Sequence, residues 1–236
     1  RDQVYLLGQA WYARQFPGRA AFRRNVRLFD ATPIYLYHPA TAERIREYCP
    51  KARLLVMLRN PVARAWSAYT MVRYEREYTR EHVVRKFLLD ANPEQRDPMV
   101  RLYYARQFPT FAEAVHQELR EIESGDRTSL EPSFVRRGLY AEQLERYLNV
   151  FPREQIMILE DRELRNNREQ VMGRVAEFLN LRPIAWKADE LGDRNVRRYR
   201  QSPDPEVVAR LTAFYRPHNE LLFQLLGRRL DWESKA

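Results

Sequence analysis

Apolar positions change period several times along the chain, and each change marks an element. Val26–Phe29 alternates and predicts a short strand. Thr41–Tyr48, after Pro39, predicts a short helix. From Arg53 the chain reads Arg-Leu-Leu-Val-Met-Leu, a continuous apolar run of the kind found in a strand buried on both faces of a parallel sheet. Asn60-Pro61 stops it. Pro61 suits the first turn of a helix, which Val62, Ala65, Trp66, Tyr69 and Val72 continue at spacings of three and four. Beyond that stripe, Arg73–Arg80 with Glu75 and Glu77 reads as a solvated charged face. Thr110 and Glu113 form a capping box that opens a helix to about Ile122. Tyr140, Leu144, Tyr147, Leu148 and Phe151 mark the next helix, Ile156–Leu159 a second buried strand, and Val171, Met172, Val175, Phe178 and Leu179 another helical stripe. Asp204-Pro205 starts a long last helix, with Gly227 near its end. Asn92–Pro98 and Ser124–Ser129 read as loops.

Strands alternating with amphipathic helices predict the α/β class: a helix-rich sandwich with a parallel sheet. No repeat or low-complexity linker divides the chain, so residues 1–236 are expected to form a single domain. In such sheets ligands collect beyond the carboxyl ends of the strands, which draws attention to the corner at Leu58–Pro61. Arg59 ends the buried run and Ser67 lies about two helical turns further on. A guanidinium and a hydroxyl converging near a helix N-terminus make an anion site. The same residues fit an arginine paired with a surface carboxylate and a serine used for packing, and residue physics leaves both open.

Charge favours an anionic ligand. Lys plus Arg number 41 against 32 Asp plus Glu, a net charge of +9, and only Lys51, Lys86, Lys187 and Lys235 are lysines. Cys49 is the single cysteine, which excludes an internal disulfide framework and a multi-cysteine zinc site. His38, His82, His116 and His218 have no metal-ligand spacing, so no metal is expected. No apolar run is long enough to span a membrane. The arginines are scattered in runs of two at most, which argues against a nucleic-acid partner. A basic nucleic-acid-binding module and a small-molecule kinase-like nucleotide enzyme stay as alternatives.

The stretch Leu54–Tyr69 resembles the 3′-phosphate-binding motif of sulfotransferases that use 3′-phosphoadenosine 5′-phosphosulfate (PAPS). That motif is a buried strand, then Arg, Asp or Asn, Pro, then Arg-Ala, and a Ser eight residues after the first Arg. Arg59, Asn60, Pro61, Arg64, Ala65 and Ser67 match it. Ala10–Pro17, Asp30–Pro39, Arg137–Glu145 with its Gly138-Leu-Tyr140, and Phe214–Glu220 resemble further segments of the heparan-type and bacterial members, in the same order. Arg194–Arg200 resembles the loop that closes over the nucleotide phosphates. Arg197 and Tyr199 take the places of its Arg and Tyr, and Arg198 compensates for a cation lost where Asn195-Val196 replaces Lys-Gly. Trp186 is read as a core residue or as a ring stacked on adenine.

The resemblance implies a P-loop-NTPase-like three-layer sandwich lacking its first strand and phosphate loop. It implies an enzyme that transfers a sulfuryl group from PAPS, as co-substrate, to a hydroxyl or amine of a glycan, glycolipid or small molecule. The nucleotide would be held by Arg59, Ser67, Tyr140, Arg197, Arg198 and Tyr199, and the acceptor approached by Asp30 and His38. Ala31 stands where the heparan-type members carry Lys, which points away from a polyanionic glycan. A lone cysteine cannot close the disulfide seen in some relatives, which points to the bacterial members and to a cytoplasmic protein, peripheral to a membrane at most. The chain begins at Arg1 without a Met. The phosphosulfate-binding Lys and the general base are expected upstream of it. The chain alone is therefore expected to be inactive, and no catalytic residue is named within it.

Overall fold

The two apolar runs become neighbours in space. The computed structural model describes residues 8–16, 28–79, 102–126, 132–182 and 201–232. In it β1 (Leu54–Leu58) lies parallel to β2 (Ile156–Glu160), with Leu54 opposite Ile156 and Leu58 opposite Glu160. The helices are α1 (Gly8–Arg14), α2 (Thr41–Tyr48), α3 (Pro61–Tyr78), α4 (Phe111–Glu123), α5 (Tyr140–Leu148), α6 (Asp161–Asn166), α7 (Arg168–Phe178) and α8 (Pro205–Leu226). Among the described residues the sheet has two strands, and α3, α4 and α5 belong to the long crossover that parallel pairing requires.

Helix boundaries follow their local signals. The Thr110 hydroxyl accepts the Glu113 N–H at 3.2 Å while Glu113 accepts the Thr110 N–H at 2.7 Å, completing the expected capping box. Asp204 accepts the Glu206 N–H at 2.8 Å, and Gly227 ends α8 in the left-handed region at φ 65°.

One sheet face, formed by Val56, Leu58 and Ile156, packs on Tyr140, Leu144 and Tyr147 of α5, on Leu222 and Phe223 of α8, and on Trp232 beyond it. On the other face Leu159, with Met157 beside it, meets Val171 and Val175 of α7. The layering is threefold at β2 but not at β1, where Leu55 and Met57 are 45% and 44% exposed. Burial on both faces was expected of β1. The difference arises because α3 leaves β1 to build a second core, with Ala65, Tyr69 and Val72 against Phe111, Val115 and Leu119 of α4 and Leu211 and Tyr215 of α8.

Two further expectations change. Leu28 and Phe29, the described half of the predicted Val26–Phe29 strand, are irregular, and Phe29 is 85% exposed; alternation does not make a strand without a partner edge. The charged end of α3 is partly spent inside the protein. Tyr103 donates to Glu75 at 2.7 Å, and Arg76 donates to the Ala105 carbonyl at 2.6 Å. Gly138 has a steric cause: a Cβ there would stand 2.7–2.8 Å from the Tyr215 phenol, whose hydroxyl donates to the Val135 carbonyl.

Candidate functional site: the β1–α3 corner and the α1–α2 cavity

At the end of β1 the chain turns through Arg59 and Asn60 into α3. Asn60 is the N-cap: its Oδ1 accepts the N–H groups of Val62 at 2.9 Å and Ala63 at 3.2 Å. The Arg64 N–H goes to the Asn60 carbonyl at 2.9 Å, and Pro61 has no N–H. Within the first turn, Val62 and Ala63 are thus capped, Pro61 has no donor and Arg64 makes the first intrahelical bond. A bound anion would meet the positive end of the α3 dipole but no open N–H from residues 61–64, so side chains would supply much of its hydrogen bonding.

Most side chains here are also committed. Arg64 turns inward and donates to the carbonyls of Ser133 and Phe134. Tyr140, buried at the start of α5, donates its hydroxyl to the Arg59 carbonyl at 3.1 Å. Burial raises its pKa, which keeps the hydroxyl protonated and donating. Two groups remain. No hydrogen bond engages the Ser67 hydroxyl among the described residues, and Arg59 is 38% exposed, with Nε 3.6 Å from Asp161. Ser67 lies seven residues past Asn60, about 10 Å along the axis and close to the same helix face.

Sequence reasoning missed two partners. Asp161 follows the carboxyl end of β2 and also pairs with Arg165 at 3.1 Å; applying the strand-end rule to the second strand would have found it. Trp232 carried no signal. Its carbonyl accepts from Asn60 Nδ2 at 2.8 Å and its indole N–H donates to Glu160 at 2.8 Å, so the tail laces both strand ends together. The indole also packs on Tyr140, with ring centroids 5.9 Å apart.

Asp30 and His38 lie at a second place. Asp30 Oδ2 accepts from Tyr35 at 2.5 Å and Tyr12 at 3.1 Å, and Oδ1 accepts from Thr32 at 2.7 Å. Tyr12 and Tyr35 also wall a cavity of about 180 Å³ between α1 and α2. His38 is buried in its lining, and its Nδ1 accepts the Ala40 N–H at 3.3 Å. Arg197, Arg198, Tyr199, Trp186 and the Asn92–Pro98 loop lie outside the described residues. Among the described residues no three His, Cys, Asp or Glu gather to hold a metal, and no helix is long and apolar enough to cross a membrane.

The architecture is a parallel pair of strands among helices, with Arg59, loosely paired to Asp161, and the Ser67 hydroxyl beyond the end of β1. The chain belongs to the sulfotransferase domain family, whose model matches residues 44–201. It is 25% identical to the membrane-associated sulfotransferase kil1 of Dictyostelium discoideum, over 99% of this chain and 59% of that protein. It is 27% identical to heparan sulfate glucosamine 3-O-sulfotransferase 6 of Mus musculus, over 98% of this chain and 63% of that one. The chain thus spans about three fifths of the length of these relatives. In three dimensions it resembles the crystal structure of a sulfotransferase from Alicyclobacillus acidocaldarius, with TM-score 0.59 and 28% identity over 94% of this chain and 77% of that one.

Proposed function

We propose that the protein transfers a sulfuryl group from PAPS to a hydroxyl or amine acceptor, with Arg59 and Ser67 holding the nucleotide's 3′-phosphate. The observation that carries this reading is that, among the described residues, the Ser67 hydroxyl has no partner and Arg59 has only a part-exposed pairing with Asp161, at a corner where Asn60, Arg64 and Tyr140 are all used by the fold. A phosphate would displace Asp161 from Arg59 easily, because a partly exposed ion pair is worth only about 0–1 kcal/mol. Tyr140 then acts beneath the phosphate by fixing the Arg59 backbone. Arg197, Arg198 and Tyr199 cover the phosphates. Asp30 and His38 face the acceptor.

The acceptor lone pair attacks sulfur in line. The S–O bond to the 5′-phosphate breaks with its electron pair leaving on the phosphate, and a general base takes the acceptor proton. Cations aimed at the developing charge and fixed positions for the two reactants lower the barrier, as in phosphoryl transfer. Residues 1–236 act as one domain of a bacterial, cytoplasmic enzyme, peripheral to a membrane at most.

Calorimetry with adenosine 3′,5′-bisphosphate on the whole protein tests this. Arg59→Ala should weaken binding at least about tenfold, since hydrogen bonds to a charged group contribute about 1.5–3 kcal/mol, and Ser67→Ala should weaken it less. Equal affinity in wild type and Arg59→Ala would sink the assignment. Steeply salt-dependent DNA binding, untouched by the nucleotide, would favour a nucleic-acid module instead.

A further inference from the structure

We infer that Glu118, a carboxylate buried inside α4, is a positioning residue for the nucleotide: it fixes the Val135–Arg136 backbone so that Tyr140 holds Arg59 where the 3′-phosphate needs it. This role rests on the sulfuryl-transfer reading and extends the phosphate corner into the core.

Both oxygens of the buried Glu118 go to consecutive backbone N–H groups. Oε2 accepts from Val135 at 2.8 Å and Oε1 from Arg136 at 2.8 Å. Arg136, also buried, brings Nη1 to 3.5 Å from Oε1 and gives Nη2 to Glu121 at 2.9 Å. A buried ion pair is often no more stabilising than apolar packing of the same volume. What the carboxylate adds is geometry. Charge-assisted bonds to two successive N–H groups fix the place and the tilt of both peptides.

The same short segment is gripped by three other helices. The Val135 carbonyl accepts the Tyr215 hydroxyl of α8 at 2.7 Å. The Arg136 carbonyl accepts from Nε2 of Gln143, in α5, at 3.2 Å. The carbonyls of Ser133 and Phe134, just before them, take the guanidinium of Arg64 from α3. Helices α3, α4, α5 and α8 thus meet on the consecutive residues Ser133–Arg136.

From there the chain leads directly to the corner. A 3₁₀ turn over Arg136–Gly138 runs into α5, whose first residue is Tyr140. Gly138 lies against the Tyr215 phenol with no room for a Cβ, so the connection has little slack. The Tyr140 hydroxyl donates to the Arg59 carbonyl. A displaced Val135–Arg136 segment therefore carries Tyr140 with it, and Arg59 loses the bond that sets its backbone.

The sign of the effect separates positioning from charge. Glu118→Gln removes a negative charge near a phosphate site, which by Coulomb attraction alone would tighten anion binding. Positioning predicts the opposite. Calorimetry on the whole protein compares adenosine 3′,5′-bisphosphate with adenosine 5′-monophosphate, which lacks the 3′-phosphate. Glu118→Gln keeps the size of the side chain and one acceptor oxygen. It should weaken bisphosphate binding about fivefold, within the range of coupling through a shared network, and leave monophosphate binding unchanged. Loss of folded protein lowers the number of sites for both nucleotides alike and leaves the ratio of their affinities where it was. In Tyr140→Phe the link is already cut, so adding Glu118→Gln should cost less than about twofold more.

Hydrogen exchange on the wild type reads the same link without a variant. Coupling between sites is reciprocal. At equal saturation the bisphosphate should slow exchange at the Val135 and Arg136 amides more than the monophosphate does, beyond any change at Val171 and Val175 of α7. An affinity ratio that Glu118→Gln leaves unchanged or raises, full additivity with Tyr140→Phe, or, should Glu118→Gln not fold, equal exchange with both nucleotides would overturn the inference. Arg59→Ala separates the two levels. If it leaves the ratio unchanged, the 3′-phosphate assignment itself fails; if it lowers the ratio and Glu118→Gln does not, only the role of Glu118 fails.

Discussion

At the β1–α3 corner almost every polar group has a partner within the fold, whereas the α1–α2 cavity is walled mainly by rings, two of which, Tyr12 and Tyr35, bond Asp30 outside its lining. The corner is stiff because its bonds are redundant: Asn60 caps the helix and also grips the tail, and Tyr140 holds the backbone of the residue that faces the ligand. The cavity is bounded by side chains from three separate segments, and Asp30, which holds two of its tyrosines, is itself held only by those tyrosines and a threonine among the described residues. A phosphate needs fixed hydrogen-bond geometry. The corner presents charge and fixed polar groups, and the cavity presents rings.

The most disruptive way to separate them is to remove the lace at the tail. Trp232→Ala should cost about 3–5 kcal/mol, typical of truncating a buried aromatic, because Trp232 is 8% exposed and packs on Tyr140 and Phe223. Denaturant melts should show the loss. Nucleotide affinity should fall with it, and unchanged affinity would mean that the tail does not position the corner.

A smaller cut is Asn60→Ala, which removes the α3 cap and leaves the Trp232 carbonyl without its donor; the expected cost is about 1–3 kcal/mol. Thermal melts should resolve it, with nucleotide binding weakened alongside.

The gentlest probe is alkaline titration. The pKa values of Tyr12 and Tyr35 are raised, first by burial and then by Asp30; that of Tyr140 is raised by burial against the opposing pull of Arg64 and Arg59. Folded values above the unfolded value near 10 mean that the folded state holds more protons there. Their contribution is full below about pH 10 and is lost as the pH rises through the folded values. Asp30→Asn should bring the Tyr12 and Tyr35 ionisations to lower pH and leave Tyr140 where it is, as followed by phenolate absorbance. A uniform shift of all tyrosines would break the separation.

Much of the corner was legible in advance. The strand, Asn60-Pro61 and the spacing of Arg59 to Ser67 all lie within one short stretch, and caps and periodicity act within a turn or two of their own residues. The same locality explains why α2 spans the residues predicted for it and why α4 begins at its capping box. What was not legible involves distant residues. Nothing near Trp232 says that its carbonyl meets a side chain 172 positions away. Gly138 was marked by resemblance alone until Tyr215 supplied the steric reason for it.

By itself the sequence determined the element types, the parallel strands joined by helices, and a strand-end arginine followed by a helix carrying a serine. Tertiary structure decided which of those polar groups are used up and which stay open. It placed Asp161 beside Arg59, exposed one face of β1, and turned Tyr12 and Tyr35, both bonded to Asp30, into walls of a cavity. The physical reason is range. Hydrogen bonding along the backbone and the period of apolar residues are properties of neighbours in sequence. The partner of a side chain, and the space between two helices, depend on segments that meet only when the whole chain has packed.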